Sequence, residues 1–139
     1  MQFVGLKPLK ENFPNMEVEG VPRAFDLHND GDFREFTYDY SARALRVSWT
    51  MKQPAWAVPE TPNTSQRATV ASATLLFTGV RSLAMTGQFV TAAEPEGGGL
   101  DFVEYKRLGP EFGEIRLVFG EDAEIVVTAS RCDLLTTGK

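Results

Sequence analysis

Alternation of apolar and polar side chains on both sides of a short turn, over residues 36–40 and 45–51, is the feature that most constrains the fold of this chain. The apolar members of the pattern are Phe36, Tyr38, Tyr40, Leu45, Val47, Trp49 and Met51. A period of two residues is that of a β-strand with one buried face. The segment therefore predicts a β-hairpin that turns at residues 41–43 and has one aromatic, half-buried face.

The same strand character returns later in the chain. Residues 67–79 and 80–86 predict two strands, and residues 115–129 predict a second hairpin that turns at residues 120–122. Residues 101–108 suit either a strand or the end of a helix, and the hairpin that follows favours a strand. We expect a mainly β fold, an antiparallel meander of about seven strands curled into a sandwich or half-barrel, with at most one or two short helices.

The length of 139 residues predicts a single domain. Prolines and glycines punctuate residues 1–25, which predicts an irregular N-terminal arm with one short helical turn near residues 9–12. Residues 26–134 are expected to form the β-hairpin core. Residues 135–139 are expected to be a tail.

Charge and composition exclude several classes of partner. The net charge is −5 and no basic stripe is visible, so neither nucleic acid nor an anionic membrane is an expected partner. No apolar run approaches the roughly 18 residues of a membrane span, and the first residues lack the pattern of a signal peptide. A single cysteine, Cys132, allows no intrachain disulfide. We expect a cytoplasmic protein without a cofactor.

A polar cluster around His28 and Asp30 is the most suggestive local motif. Asp-x-His-x-Asp-Gly resembles the opening of a calcium loop, but His28 takes the place of an oxygen ligand and Thr37 stands where the bidentate glutamate belongs. A zinc site needs more His or Cys than one of each. The cluster predicts a polar turn, and it leaves His28 and Asp30 as candidate binding residues. Because these ligands are missing, we expect no metal site. We also expect no catalytic residue, and no Gly-x-Ser-x-Gly elbow is present to hold a nucleophilic serine.

Trp56 is the third candidate binding residue. It stands in a proline-rich loop where no strand requires it to be buried. Two interpretations are open: the loop folds back and Trp56 covers one end of the sheet, or Trp56 anchors a protein partner, since exposed aromatic residues are typical hot spots.

The order of motifs resembles that of a group of small bacterial β-rich proteins of unknown function, some of them immunity proteins of polymorphic toxin systems. His28-Asn29 precedes a strand with Tyr38-Asp39, and the closing stretch IRLVFGEDAEIVVTAS is similar to the closing hairpin of that group. Leu83 lies in a further matching stretch, and Asn29 replaces the aspartate that the group has there. The resemblance implies a binding domain that is not an enzyme.

Three hypotheses about function follow. The first is a protein-interaction domain of the cytosol, to which the resemblance adds an immunity-type role. The second is a small-molecule binding module with a pocket in the curled sheet, lined by Tyr38, Trp49, Phe77 or Phe119. The third is an enzyme that uses His28 with Asp26 or Asp30. A monomer and a homodimer are both compatible with the sequence.

Overall fold

A computed structural model describes residues 1–20, 24–52, 57–59, 67–87, 100–120 and 123–138. Twelve strands and no helix lie within these ranges, so the fold is mainly β as the alternation predicts. The strands are β1 (Gln2–Val4), β2 (Glu17–Glu19), β3 (Ala24–Asp26), β4 (Gly31–Asp39), β5 (Ala44–Met51), β6 (Ala57–Pro59), β7 (Arg67–Thr78), β8 (Ser82–Thr86), β9 (Phe102–Arg107), β10 (Gly113–Phe119), β11 (Ala123–Ala129) and β12 (Arg131–Gly138).

The strands form three sheets. The largest has the order β1-β12-β7-β5-β4, with β6 paired to β7. The second, of four strands, has the order β8-β11-β10-β9, and β2 pairs with β3 in a two-stranded ribbon. All pairs are antiparallel except β1 with β12, which is parallel. The structure differs here from one continuous meander, because the chain leaves the largest sheet after β7 and returns to it only at β12.

Gly79 makes this change of sheet possible. Its φ of +63° lies in the left-handed region that favours glycine, and a Cβ at this position would collide with the side chain of Ser130. Val80, the next residue, is only 3% exposed and anchors the connection in the core. The chain then enters β8 at the edge of the four-stranded sheet.

The predicted hairpin at residues 36–51 is confirmed as β4 and β5, with Phe36 opposite Val47 and Tyr38 opposite Leu45. A β-bulge between Phe33 and Glu35 shifts the register. The extra residue, Arg34, reverses the face to which the side chains before it point. Phe33 therefore lies in the core although strict alternation from Phe36 would place it on the outer face.

Several other sequence-based expectations differ from the structure. The arm at residues 1–25 contains β1, β2 and the start of β3, and residues 9–12 form no helical turn. The tail is also shorter than expected, because β12 continues to Gly138. This strand pairs with β7 along its length and with β1 over residues 131–133, and its buried apolar residues are only Cys132 and Leu134. Residues 101–108 contain strand β9, as favoured.

The core receives side chains from both larger sheets. The rings of Trp49 on β5 and Phe119 on β10 stack with their centroids 6.4 Å apart, and Phe33 on β4 lies 4.8 Å from Phe119. Phe77 on β7 is completely buried. The inner faces of the two sheets are therefore in direct contact, and their aromatic residues pack against each other.

Candidate functional site

A tight turn between β4 and β5 carries the most exposed aromatic residue of the described chain. Tyr40 is 85% exposed, because β4 ends at Asp39 and Tyr40 belongs to the turn. The expectation that Tyr40 lies on the half-buried face of the hairpin is therefore wrong. Tyr38, still on the strand, is half-buried, and the two rings meet edge to face with centroids 6.5 Å apart.

Asp39 holds this turn in place. One of its carboxylate oxygens accepts a hydrogen bond from the Ala42 amide at 3.1 Å and another from the Ser41 hydroxyl at 2.8 Å. These two bonds lower the pKa of the Asp39 carboxyl, the bond from the Ala42 amide most strongly. The turn ends at Arg43, whose φ of 50° is in the left-handed region. The turn is thus a defined structure that presents Tyr40.

The connection between β7 and β8 is held against the same turn. The Val80 amide donates a hydrogen bond of 3.0 Å to the carbonyl of Arg43, and the Arg81 amide donates one of 2.7 Å to the carbonyl of Thr128. The Arg81 guanidinium lies over the ring of Phe112, 4.9 Å from its centroid. Backbone contacts therefore bring Arg43 and Arg81, from distant parts of the chain, to the same region of the surface.

The cleft between these two connections is the candidate site, hereafter the Tyr-Arg cleft. Its volume is about 410 Å³, and it is lined by Tyr38, Tyr40, Ser41, Arg43, Val80 and Arg81. Both arginines are exposed, and in the described ranges no carboxylate lies within ion-pair distance of either. The cleft therefore combines two aromatic rings with two positive charges that are available to a ligand.

His28 and Asp30, two of the predicted binding residues, lie elsewhere, in the turn between β3 and β4. His28 Nδ1 lies 2.8 Å from the carbonyl oxygen of Leu100 and 3.7 Å from a carboxylate oxygen of Asp101. Because a carbonyl oxygen only accepts, Nδ1 carries the proton in this contact. His28 thus connects this turn to the start of β9.

Both backbone polar groups of Asp30 form hydrogen bonds. Its amide donates to the carbonyl of Asp26 and its carbonyl accepts from the amide of Lys52, each at 2.8 Å. The Asp26 carboxylate accepts the backbone and side-chain N–H groups of Asn29, each at 2.9 Å. Burial acts to raise the pKa of Asp26, but these bonds, with a smaller contribution from His28, outweigh it and lower the pKa. The polar turn that the sequence predicts is present.

The remaining candidates carry less chemistry. Trp56 lies outside the described residues. Cys132 is completely buried, and burial raises the pKa of its thiol. Within the described ranges, no group of three or more His, Cys, Asp or Glu side chains is arranged to hold a metal ion.

A second hollow of about 560 Å³ is formed by residues 7–19. Phe13 and Met16 are 55% and 46% exposed there, and Lys10 Nζ lies 4.6 Å from the centre of the Phe13 ring. Lys7 pairs with Glu19 at 3.1 Å. The charged side chains of this hollow are thus partly paired with each other, unlike the two arginines of the Tyr-Arg cleft.

Sequence reasoning missed the Tyr-Arg cleft for two reasons. Alternation shows which face a strand residue occupies, but Tyr40 comes just after the last residue of the strand. The spacing of Asp39 and Ser41 was the available signal, since Asp and Ser favour turns that their own side chains cap. No local pattern could have joined Arg43 to Arg81, because the fold alone brings them together.

None of the described residues form a helix long and apolar enough to cross a membrane. Comparisons with family models, with curated proteins and with solved structures find no match to this chain.

Proposed function

We propose that this chain is a protein-interaction domain of the cytosol and that the Tyr-Arg cleft binds its partner. The observation that carries the proposal is the convergence of Tyr38, Tyr40, Arg43 and Arg81 on one cleft. Tyrosine and arginine are enriched at the energetic centres of protein interfaces, since each combines a large contact area with directional hydrogen bonds. The backbone bonds around Val80 preorganise the cleft, which lowers the entropic cost of binding.

The partner segment is acidic. Arg43 and Arg81 offer planar guanidinium groups, which bind carboxylates through paired hydrogen bonds. The chain as a whole carries a net charge of −5, so this positive cleft is a local exception that steers an acidic segment to one place on the surface. The tyrosine rings supply apolar contact area beside the charges.

The proposed scaffold is an open sandwich of the two larger sheets. The ring contacts of Phe119 with Phe33 and Trp49 support this arrangement. In this proposal the domain acts by covering its partner and carries out no reaction. An immunity-type role, in which the partner is a toxin, rests on the sequence resemblance alone.

The other two hypotheses have less support. Of the four residues proposed to line a small-molecule pocket, Trp49 and Phe77 are completely buried and Phe119 is 6% exposed. Tyr38 is the one of the four that lines either of the two hollows described above. For an enzyme that uses His28, Nδ1 is already bonded to the Leu100 carbonyl and the Asp26 carboxylate to Asn29.

The test is a titration of the isotope-labelled protein with a glutamate-rich peptide, followed by amide NMR shifts. We expect shifts that saturate and that cluster at residues 38–43 and 80–81, and we expect them to weaken as salt is added. A lysine-rich peptide of equal length is the control ligand. Arg81→Ala should weaken binding by roughly tenfold, which corresponds to about 1.4 kcal/mol.

Arg46→Ala is the matched control variant, because Arg46 is an exposed arginine on β5 that does not line the cleft. It removes the same charge from the protein and should leave the affinity nearly unchanged. Equal losses in the two variants would show that only net charge matters and would overturn the proposal. Shifts spread evenly over the surface, or none near Tyr40, would overturn it as well.

A further inference from the structure

The strand orders of the two larger sheets end in β1, β4, β8 and β9, and β6, only three residues long, pairs with β7 outside these orders. Three of the four end strands are protected against pairing with another chain. Residues 11–15 run along β9, where the Asn15 and Val103 backbones exchange two hydrogen bonds and the Asn12 amide donates to the Tyr105 carbonyl, all at 2.8 Å. Covering an edge in this way removes its free donors and acceptors. The edge at β9 is therefore occupied by the chain itself.

The edges of the largest sheet are protected by other means. On β4 the β-bulge interrupts the ladder, and Asp32, Arg34 and Glu35 place charges at the edge. Bulges and charges both disfavour the addition of a strand. At the opposite edge, β1 is only three residues long, too short to template a stable ladder.

The fourth end strand, β8, has none of these protections. Its sequence, Ser-Leu-Ala-Met-Thr, contains no charge, and all its residues except the half-buried Leu83 are exposed. In the described part of the chain β8 pairs with β11 alone. Met85, 38% exposed, lies opposite the fully buried Ile125 and so turns toward the apolar face of the sheet.

We propose that β8 pairs with β8 of a second copy of this chain, antiparallel about a two-fold axis, in a register that places Ala84 opposite Ala84. This register brings Met85 against Leu83 of the other copy on the apolar face. On the opposite face it brings Ser82 against Thr86, a pair that can share a hydroxyl hydrogen bond. The two four-stranded sheets then become one sheet of eight strands.

A second copy is the occupant that fits, for two reasons. The uncharged strand is complementary to itself, because antiparallel self-pairing brings no like charges together. A two-fold interface is also the commonest form of association between identical chains, and the same patch serves both copies. The backbone groups along β8 provide the hydrogen bonds that a strand partner needs.

The experiment is a measurement of molar mass by light scattering and sedimentation, from low micromolar to millimolar protein. We expect the mass to rise with concentration from 15.4 kDa toward twice that value. Ala84→Lys places two lysines opposite each other and should hold the protein at the monomer mass. Thr37→Lys, at an exposed position on β4, is the matched control and should dimerise like the unchanged chain.

Ala84→Glu separates lost pairing from lost folding. It should also be monomeric alone, and an equimolar mixture of the Lys and Glu variants should recover the dimer mass, because the opposed charges then attract. A monomer at every concentration, a dimer that Ala84→Lys leaves intact, or a mixture that stays monomeric would each overturn the proposal. Because β8 does not line the Tyr-Arg cleft, these outcomes are independent of the proposed function.

Discussion

The amide of Val80 donates a hydrogen bond of 3.0 Å to the carbonyl of Arg43, and this bond joins the β4–β5 turn to the connection between the two larger sheets. Val80 is 3% exposed, whereas Arg43 is exposed. A buried residue thus positions a solvent-facing one through its backbone, so the side chain of Arg43 is left free to contact a ligand. The backbone conformation at Arg43 and its guanidinium can therefore be tested separately.

Replacement of Arg43 by glycine should remove binding without loss of stability. The φ of 50° is accessible to glycine without steric strain, so Arg43→Gly should change the free energy of unfolding by less than about 1 kcal/mol, toward greater stability. Arg43→Val should lower it by about 1–2 kcal/mol, since a β-branched residue is strained there. Urea unfolding measures both values, and the NMR titration with the glutamate-rich peptide measures binding.

If Arg43→Gly binds the glutamate-rich peptide as well as the unchanged chain does, the guanidinium makes no contact with the ligand. If Arg43→Gly and Arg43→Val are equally destabilised, the left-handed conformation at this residue is not a constraint in solution. The two readouts are independent, because one measures stability and the other measures binding.

How far the sequence predicts this structure depends on the kind of pattern. The hairpins β4–β5 and β10–β11 follow from alternation, because a buried face imposes a period of two on each strand. The last residues of β12, Thr136-Thr137-Gly138, give no apolar signal, although they pair with β7. Backbone hydrogen bonds within a sheet do not require particular side chains, so this pairing leaves no pattern in the sequence.

The candidate sites show the same limit. The polar turn at His28 was predicted from local turn residues, and it is present. The contact of His28 with Leu100 joins residues that lie 72 positions apart, and no local pattern predicts it. The presence of Arg43 and Arg81 at one cleft is of the same kind, since it depends on Gly79 directing the chain from one sheet to the other.

His28 should act as a structural tether, and asparagine should replace it better than glutamine. The Asn side-chain nitrogen takes the place of Nδ1, the atom that donates to the Leu100 carbonyl at 2.8 Å, whereas the Gln nitrogen takes the place of Nε2. We expect His28→Gln and His28→Ala to lower the free energy of unfolding by about 1 kcal/mol and His28→Asn to lower it by less. Urea unfolding at neutral pH measures the series.

Binding of the glutamate-rich peptide provides the control for this series, because His28 does not line the Tyr-Arg cleft. All three variants should bind it like the unchanged chain. A loss of binding in His28→Asn, with stability retained, would show that His28 contributes to binding and would contradict its role as a tether.

Cys132 should make the protein less stable in alkali. Burial raises the pKa of its thiol above the ordinary value of 9.0, and the charge of Asp133 adds to the shift. Below pH 9.0 the thiol is protonated in both the folded and the unfolded chain, so its contribution to stability is fully present. As the pH rises further, only the unfolded chain ionises, and stability falls by about 1.4 kcal/mol for each pH unit.

Comparison with Cys132→Ala isolates this effect, because ionisation of tyrosines and lysines is common to both proteins. The difference in free energy of unfolding between the unchanged chain and the variant should shrink by about 1.4 kcal/mol between about pH 8 and about pH 10. A thiol reagent at pH 8 should react with Cys132 only as fast as the protein unfolds, since the side chain is completely buried. Rapid reaction with the native protein, or a difference that is constant with pH, would mean that the thiol is reached by solvent and that β1 and β7 do not enclose it.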